Sequence, residues 1–181
     1  MTELKHIVIY TDGACTGNPG PGGYGVVLLH GSHRKELSGG YRRTTNNRME
    51  ILAAIVGLEA LKEECRVTLY SDSQYVVNAV EKGWAWKWEA NGWKRNKREE
   101  ALNPDLWKRL LRLCEYHNVE FRWVRGHAGN RENERCDQLA TGAARQPNLP
   151  ADEGYEATTA RASHADRSAG GYGRSGYGRR R

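Results

Sequence analysis

Two short apolar runs, HIVIYTD and RVTLYSD, each end in a carboxylate, Asp12 and Asp72. Runs this short and rich in Ile, Val, Leu and Tyr read as buried strands, and open α/β sheets place their ligands outside the C-terminal strand ends. If the two strands are parallel neighbours, those ends lie only ~4.8 Å apart. Two ionised carboxylates that close repel, and one takes up a proton unless a cation neutralises both. No Lys or Arg adjoins either residue in the sequence, which leaves a hard divalent cation as the simplest solution. Two further acids could join from helices. Glu50 stands between Met49 and Ile51 in an apolar helical pattern, and Asp137 shares a helix stripe with the small residues Ala140 and Ala144. Taken singly, each of these acids is more often a solvated residue at an element's end, and spacing alone cannot make them converge.

The elements that must hold these acids follow from periodicity and punctuation. The stretch GACTGNPGPGG packs Gly and Pro too densely for helix or strand. YGVVLLH and KELSGGYRR flank GSH as a hairpin. The pattern then turns helical over NNRMEILAAIVGLEALKEE, with Thr45 as a cap. After RVTLYSD come a helix over SQYVVNAVEKG closed by Gly83, a Trp and Lys/Arg segment over 84–98, and an amphipathic helix opening at Pro104. The strand VEFRWV, the loop RGHAGNR and a last helix over ENERCDQLATGAAR complete the pattern. Three β-runs followed by alternating helix and strand predict an α/β domain, a mixed sheet with helices on its faces. Beyond Pro147 the sequence dissolves into Ala, Ser, Gly and Arg, and from about residue 157 its apolar content is too low to offset ordering entropy, which predicts disorder.

Among the 181 residues, 28 Lys and Arg oppose 22 Asp and Glu, a formal charge of +6. Arg161, Arg167, Arg174, Arg179, Arg180 and Arg181 face only Asp166 in residues 157–181, so the basicity belongs to the tail and to the cluster at 84–98. No stretch approaches the ~20 consecutive apolar residues of a membrane span. Cys15, Cys65, Cys114 and Cys136 show no CxxC or CxxH spacing and read as reduced thiols, not as zinc ligands or a disulfide framework. The expected setting is the cytoplasm, away from membranes.

Five blocks, YTDGACTGNPGPGGYGVVL, GYRRTTNNRMEILAAIVGLEAL, LYSDSQYVVNAV, GWKRNK and WVRGHAGNRENERCDQLA, resemble the bacterial type 1 ribonuclease H family in order and spacing, from Thr11 to about Ala144. The resemblance implies a ribonuclease H-like fold, a five-stranded mixed sheet with helices on both faces, over a catalytic domain of residues 1–150. A linker and disordered tail are expected over 151–181. The resemblance also implies that Asp12, Glu50, Asp72 and Asp137 form one site for two Mg²⁺ (or Mn²⁺) ions. In such enzymes the RNA strand of an RNA·DNA hybrid is hydrolysed, leaving 5′-phosphate and 3′-hydroxyl ends. By position, Asp12 bridges both ions, Asp137 completes the site of the ion that activates water, and Glu50 and Asp72 hold the ion beside the leaving oxygen. His127, by itself an exposed loop residue, matches the family's loop histidine and takes an accessory role in proton transfer or product release. Glu134, one turn before Asp137, is expected as an outer acid of the same site.

A hybrid-specific enzyme must sense 2′-hydroxyls on one strand and their absence on the other, and the wide minor groove of an A-like helix displays them to short amides. Asn18, Asn46, Asn47 and Gln74 match the family's minor-groove contacts, and Cys15 matches a residue beside the RNA backbone. Arg43, Thr45 and Asn103 match the pocket that grips a DNA-strand phosphate. Capping is an equal use for Asn46 and Asn47 at a helix start. The segment 84–98 holds four of the six Trp and five Lys/Arg, a mixture suited to sugars and phosphates, and it matches the family's basic handle with Trp84 and Trp88 as channel aromatics. Core packing is the competing use for one or two of Trp84, Trp86 and Trp88. The handle is diluted, with Glu89, Ala90 and Asn91 where better-known members have Lys and Arg. The repeated Tyr-Gly-Arg of the tail is a candidate electrostatic anchor for nucleic acid, with an inert extension as the alternative.

The resulting expectation is a monomeric, metal-dependent endoribonuclease whose partner is the RNA·DNA hybrid. Two rivals are a catalytically silent nucleic-acid-binding module and another nuclease or strand-transfer enzyme of the same fold. Intact Asp12, Glu50, Asp72 and Asp137 weigh against the first. The amide set and Arg43, Thr45 and Asn103 weigh against the second, because they have no purpose on plain duplex DNA.

Overall fold

A computed structural model describes residues 3–169. Strands β1 (Lys5–Cys15), β2 (Gly20–His30), β3 (His33–Thr44), β4 (Cys65–Ser71) and β5 (Asn118–Trp123) form one sheet in the order β3-β2-β1-β4-β5. The first three are antiparallel neighbours, β2 and β3 being a hairpin turned at Gly31 (φ +58°), whereas β1, β4 and β5 run parallel. The helices are α1 (Asn46–Glu59), α2 (Gln74–Glu81), α3 (Trp84–Ala90), α4 (Pro104–Tyr116), α5 (Arg131–Ala144) and α6 (Glu153–Ala169). Among the described residues no helix is long and apolar enough to cross a membrane, and the four cysteines are free.

Successive residues of β2 show why helices cover both faces. A Cβ on Gly57 of α1 would meet Val26, whereas a Cβ on Gly25 would run into the Cys136 carbonyl of α5, and adjacent strand residues point to opposite faces. Helix α1 is apolar almost all round and buries Met49, Ile51, Ile55 and Leu58 completely, joining Ile9, Val26, Leu69, Trp107 and Leu110 in the core. Thr45 caps it as expected, its Oγ1 accepting from the Arg48 N–H at 3.3 Å.

The Gly/Pro stretch departs from expectation, because β1 continues to Cys15 and β2 begins at Gly20. Gly17 (φ +78°) still serves the short connection between the two strands, but Gly13 and Gly23 serve helix approach. A Cβ at Gly13 would lie 2.5 Å from the Glu50 nitrogen, so only glycine lets α1 sit this close to β1.

The C-terminal segment is the main correction. Where the sequence predicts a linker from 151 and disorder from about 157, the chain runs as helix from Glu153 to Ala169. The reason is a cap and an anchor at a distance: Asp152 Oδ1 accepts from the Tyr155 N–H at 3.3 Å, and Asp152 itself is buried against Arg48 and Thr44. Composition alone carries no sign of that anchor. Residues 170–181, with the Tyr-Gly-Arg repeats proposed as an anchor for nucleic acid, lie outside the described residues.

Candidate active site

Thr11 pairs with Ser71 across parallel β1 and β4, so Asp12, still within β1, and Asp72, one residue past the end of β4, lie side by side where the parallel pairing of the two strands ends. The close approach at Gly13 brings Glu50 to the same point. Oxygens of Asp12, Glu50 and Asp72 all lie within 4.8 Å of one another. Asp12 and Glu50 are buried, Asp72 half-buried. Burial, then the charges of Asp72 and Asp137, push Asp12 up to about 8 against the pull of its bonds to Glu50 and the Gly13 N–H. Burial, then the charges of Asp12 and Asp72, hold Glu50 well above the usual carboxylate range. The Gly13 N–H donates to Asp12 Oδ1 at 2.9 Å, whereas Glu50 Oε2 is buried with no hydrogen-bond partner among the described residues. Three crowded carboxylates, one with an orphaned buried oxygen, fit a hard divalent cation.

Asp137 acts on Asp12 through its charge but stands outside that 4.8 Å trio, half-buried on α5. A Cβ on Gly126 would come within 2.8 Å of Asp72 Oδ2, so the loop between β5 and α5 packs directly on the trio. His127, next in the chain, is exposed with a left-handed backbone (φ +55°), and Glu134 is exposed on α5.

Of the proposed substrate residues, Asn18, Thr45, Asn47 and Asn103 share one cavity of about 650 Å³. Asn18 Oδ1 accepts from the Asn46 N–H at 3.2 Å, tying the β1–β2 connection to the start of α1. Thr45 accepts from the Arg48 N–H, so its own O–H stays available as a donor. Asn103 Oδ1 accepts from Arg48 Nη1 at 3.2 Å, which commits the oxygen and leaves the NH₂ as donors. Arg43 and Gln74 are exposed and do not line this cavity, and Gln74 is the first residue of α2. Cys15 is half-buried, its Sγ donating to the Gly20 and Thr44 carbonyls at 3.4 Å, and burial raises the thiol above its usual range.

Over 84–98 the tryptophans divide. Trp84 is exposed, with Lys82 Nζ 5.6 Å from its ring centre. Trp88 is half-buried, edge-on to Trp107 at 6.0 Å and tilted on Tyr75 at 6.3 Å, so packing takes much of its surface. Glu89, which dilutes the handle, accepts from Arg112 Nη2 at 2.6 Å and ties α3 to α4. The residue that sequence reasoning missed is Arg48, 3% exposed, which binds Asp105 and Asp152 and orients Asn103. A basic residue one position before Met49, where the apolar pattern of α1 begins, was the available signal.

Residues 4–145 match the family model RNase H. A ribonuclease H of Desulforamulus reducens is 76% identical over 151 residues, covering 83% of this chain and 95% of the relative. A protein named ribonuclease HI from Synechocystis is 60% identical over 82% of this chain and 94% of its own length. Among solved structures, LC9-RNase H1, a type 1 RNase H with the type 2 active-site motif, aligns with a TM-score of 0.72 and 33% identity over 92% of this chain and 86% of that one. LC11-RNase H1, solved in complex with an RNA/DNA hybrid, aligns with a TM-score of 0.59 and 26% identity over 76% of this chain and 96% of its own. With its acidic strand ends in the same sheet, the chain belongs to the RNase H family.

Proposed function

We infer that Asp12, Glu50, Asp72 and Asp137 hold two Mg²⁺ ions, or Mn²⁺, in a metal-dependent endoribonuclease that cleaves the RNA strand of RNA–DNA hybrids. The observation that carries this reading is the partnerless buried Glu50 Oε2 within the carboxylate trio. When bound, the cations supply an activated water and neutralise charge on the leaving 3′-oxygen. Asp12 would serve both cations, Glu50 and Asp72 would hold one of them, and Asp137 would complete the site of the other. Asp12 and Glu50 ionise as a cation takes the place of their protons. The short amides Asn18, Asn46, Asn47 and Gln74 suit the minor groove, beside Cys15, while Arg43, Thr45 and Asn103 donate to a DNA-strand phosphate. Trp84 and the exposed part of Trp88 offer surface for the backbone. The hybrid bound by LC11-RNase H1 supports this substrate. The enzyme acts as a monomer in the cytoplasm, where free thiols stay reduced.

The test is the chemistry of the product ends. Water attack leaves 5′-phosphate and 3′-hydroxyl termini, and end-group analysis is expected to find only these. A 2′,3′-cyclic phosphate would mean attack by the neighbouring 2′-hydroxyl and would overturn the reading.

His127 sits beside the site without belonging to the trio, so it acts as an accessory proton carrier. Acid–base groups contribute ~10²–10⁴-fold, and a group that water can replace falls at the low end. His127→Ala is expected to lower kcat by about tenfold to a hundredfold, with KM and the Mg²⁺ requirement nearly unchanged. Loss of Mg²⁺ binding by calorimetry would make the histidine a ligand instead.

A further inference from the structure

Helix α6 begins beyond residue 145, where the family match ends, yet it is tied down strongly. Asp152, 7% exposed, accepts from Arg48 Nε at 2.7 Å and Nη2 at 3.0 Å and from Thr44 Oγ1 at 2.6 Å. The Arg42 N–H donates to the Pro150 carbonyl at 2.9 Å, and the Arg42 guanidinium donates to both Glu156 oxygens at 3.0 and 3.1 Å. The guanidinium of Arg48 thus fixes α6 and Asn103 together.

The consequence lies in the 650 Å³ cavity, where Thr45, Asn47 and Asn103 form one wall and Tyr155, Thr158 and Arg161 of α6 another. Arg161 is exposed and forms no ion pair among the described residues. Two carboxylates also line the cavity: Asp105 is held by Arg48, and Glu100 is exposed. The Thr158 hydroxyl is spent on the Gly154 carbonyl at 2.8 Å, but the cavity still gathers the Thr45 hydroxyl, the Asn103 amide and a guanidinium with no ion pair among the described residues, a set suited to phosphate.

We propose that α6 is part of the nucleic-acid interface and that Arg161 is a substrate-binding residue, contacting a phosphate of the DNA strand beside Thr45 and Asn103. This rests on the reading of Thr45 and Asn103 as a phosphate grip. The arginine adds a charge-assisted contact that the 4–145 match does not contain.

The experiment measures binding of a short RNA·DNA hybrid by the full chain, with Asp12→Asn present throughout to prevent cleavage. Arg161→Ala is expected to raise Kd about threefold to fivefold at low salt and to flatten log K against log[salt] by about 0.7–0.9. Arg161→Glu should weaken binding further, and Arg161→Lys should recover most of it. In hybrids carrying single neutral methylphosphonates, one DNA-strand position should bind the Ala variant and the unsubstituted Arg161 chain alike. If Arg161→Glu leaves Kd and slope unchanged while Asn103→Ala weakens binding, the α6 contact is wrong and the phosphate grip stands. If neither weakens binding, the grip fails and the proposal with it. Convergence at an RNA-strand position would overturn the strand assignment.

Discussion

Asp12→Asn is expected to reduce hydrolysis in Mg²⁺ to below a few per cent while leaving the metal-free protein as stable as before or more so. The side chain is nearly isosteric, and its oxygen can still accept the Gly13 N–H. What disappears is a charge in a crowded place. Burial, followed by the charge of Asp72 and reinforced by Asp137, raises Asp12 to about 8, so the folded chain holds a proton that the unfolded chain releases near pH 4. The stability contributed by that proton is complete below about pH 4 and is lost as the pH climbs through about 8. Glu50 shifts in the same direction for the same cause. Thermal melts in chelator should therefore show Tm falling from pH 5 to pH 8, and falling less in the Asn variant. Retention of substantial activity, or an equally steep fall in Tm, would contradict the metal-centre assignment.

Arg48→Ala should cause a large loss of stability. Its guanidinium is 3% exposed and pairs with Asp152 at 2.7 Å and with Asp105 at 2.7 Å. Removing one partner of a buried ion pair strands the other, at about 3–5 kcal/mol. In a chain of this length that corresponds to a fall in Tm of about 10 °C. Asp152→Ala should cost less, because Arg48 keeps the more exposed Asp105. Arg48→Met with Asp152→Leu should recover part of the loss, since no buried charge is then left alone. Acid adds a signature. Burial alone would raise Asp105, but its bonds to Arg48 outweigh that and hold it below the usual carboxylate range, so its support is present above about pH 4 and fades as the pH falls. A loss under about 1 kcal/mol for Arg48→Ala in denaturant melts would show that the network is structurally idle.

Local signals were sufficient where the structure depends on local rules. The strand segments leading to Asp12 and Asp72 were legible as apolar runs, and Thr45 and Pro104 as helix starts, because capping and periodicity act within a few residues. The Gly-rich stretch misled because glycine usually marks a turn, whereas here it lets α1 and α5 approach the sheet. Helix α6 was illegible for a different reason: its anchor joins Arg48 to Asp152 across 104 positions, and no window contains both. Convergence of the carboxylates required the family resemblance. Geometry then separated the close trio from Asp137, and it showed Trp88 packed edge-on to Trp107 and tilted on Tyr75 where composition alone allowed either use.

Metal-dependent hydrolysis confined to the RNA strand of a hybrid can be read in a single assay. Labelled RNA·DNA, RNA·RNA and DNA·DNA duplexes of one sequence are incubated with the protein in Mg²⁺ and in chelator. Cleavage is expected only in the RNA strand of RNA·DNA and only with the metal. Comparable cutting of either homoduplex, or cutting that persists in chelator, would contradict the account.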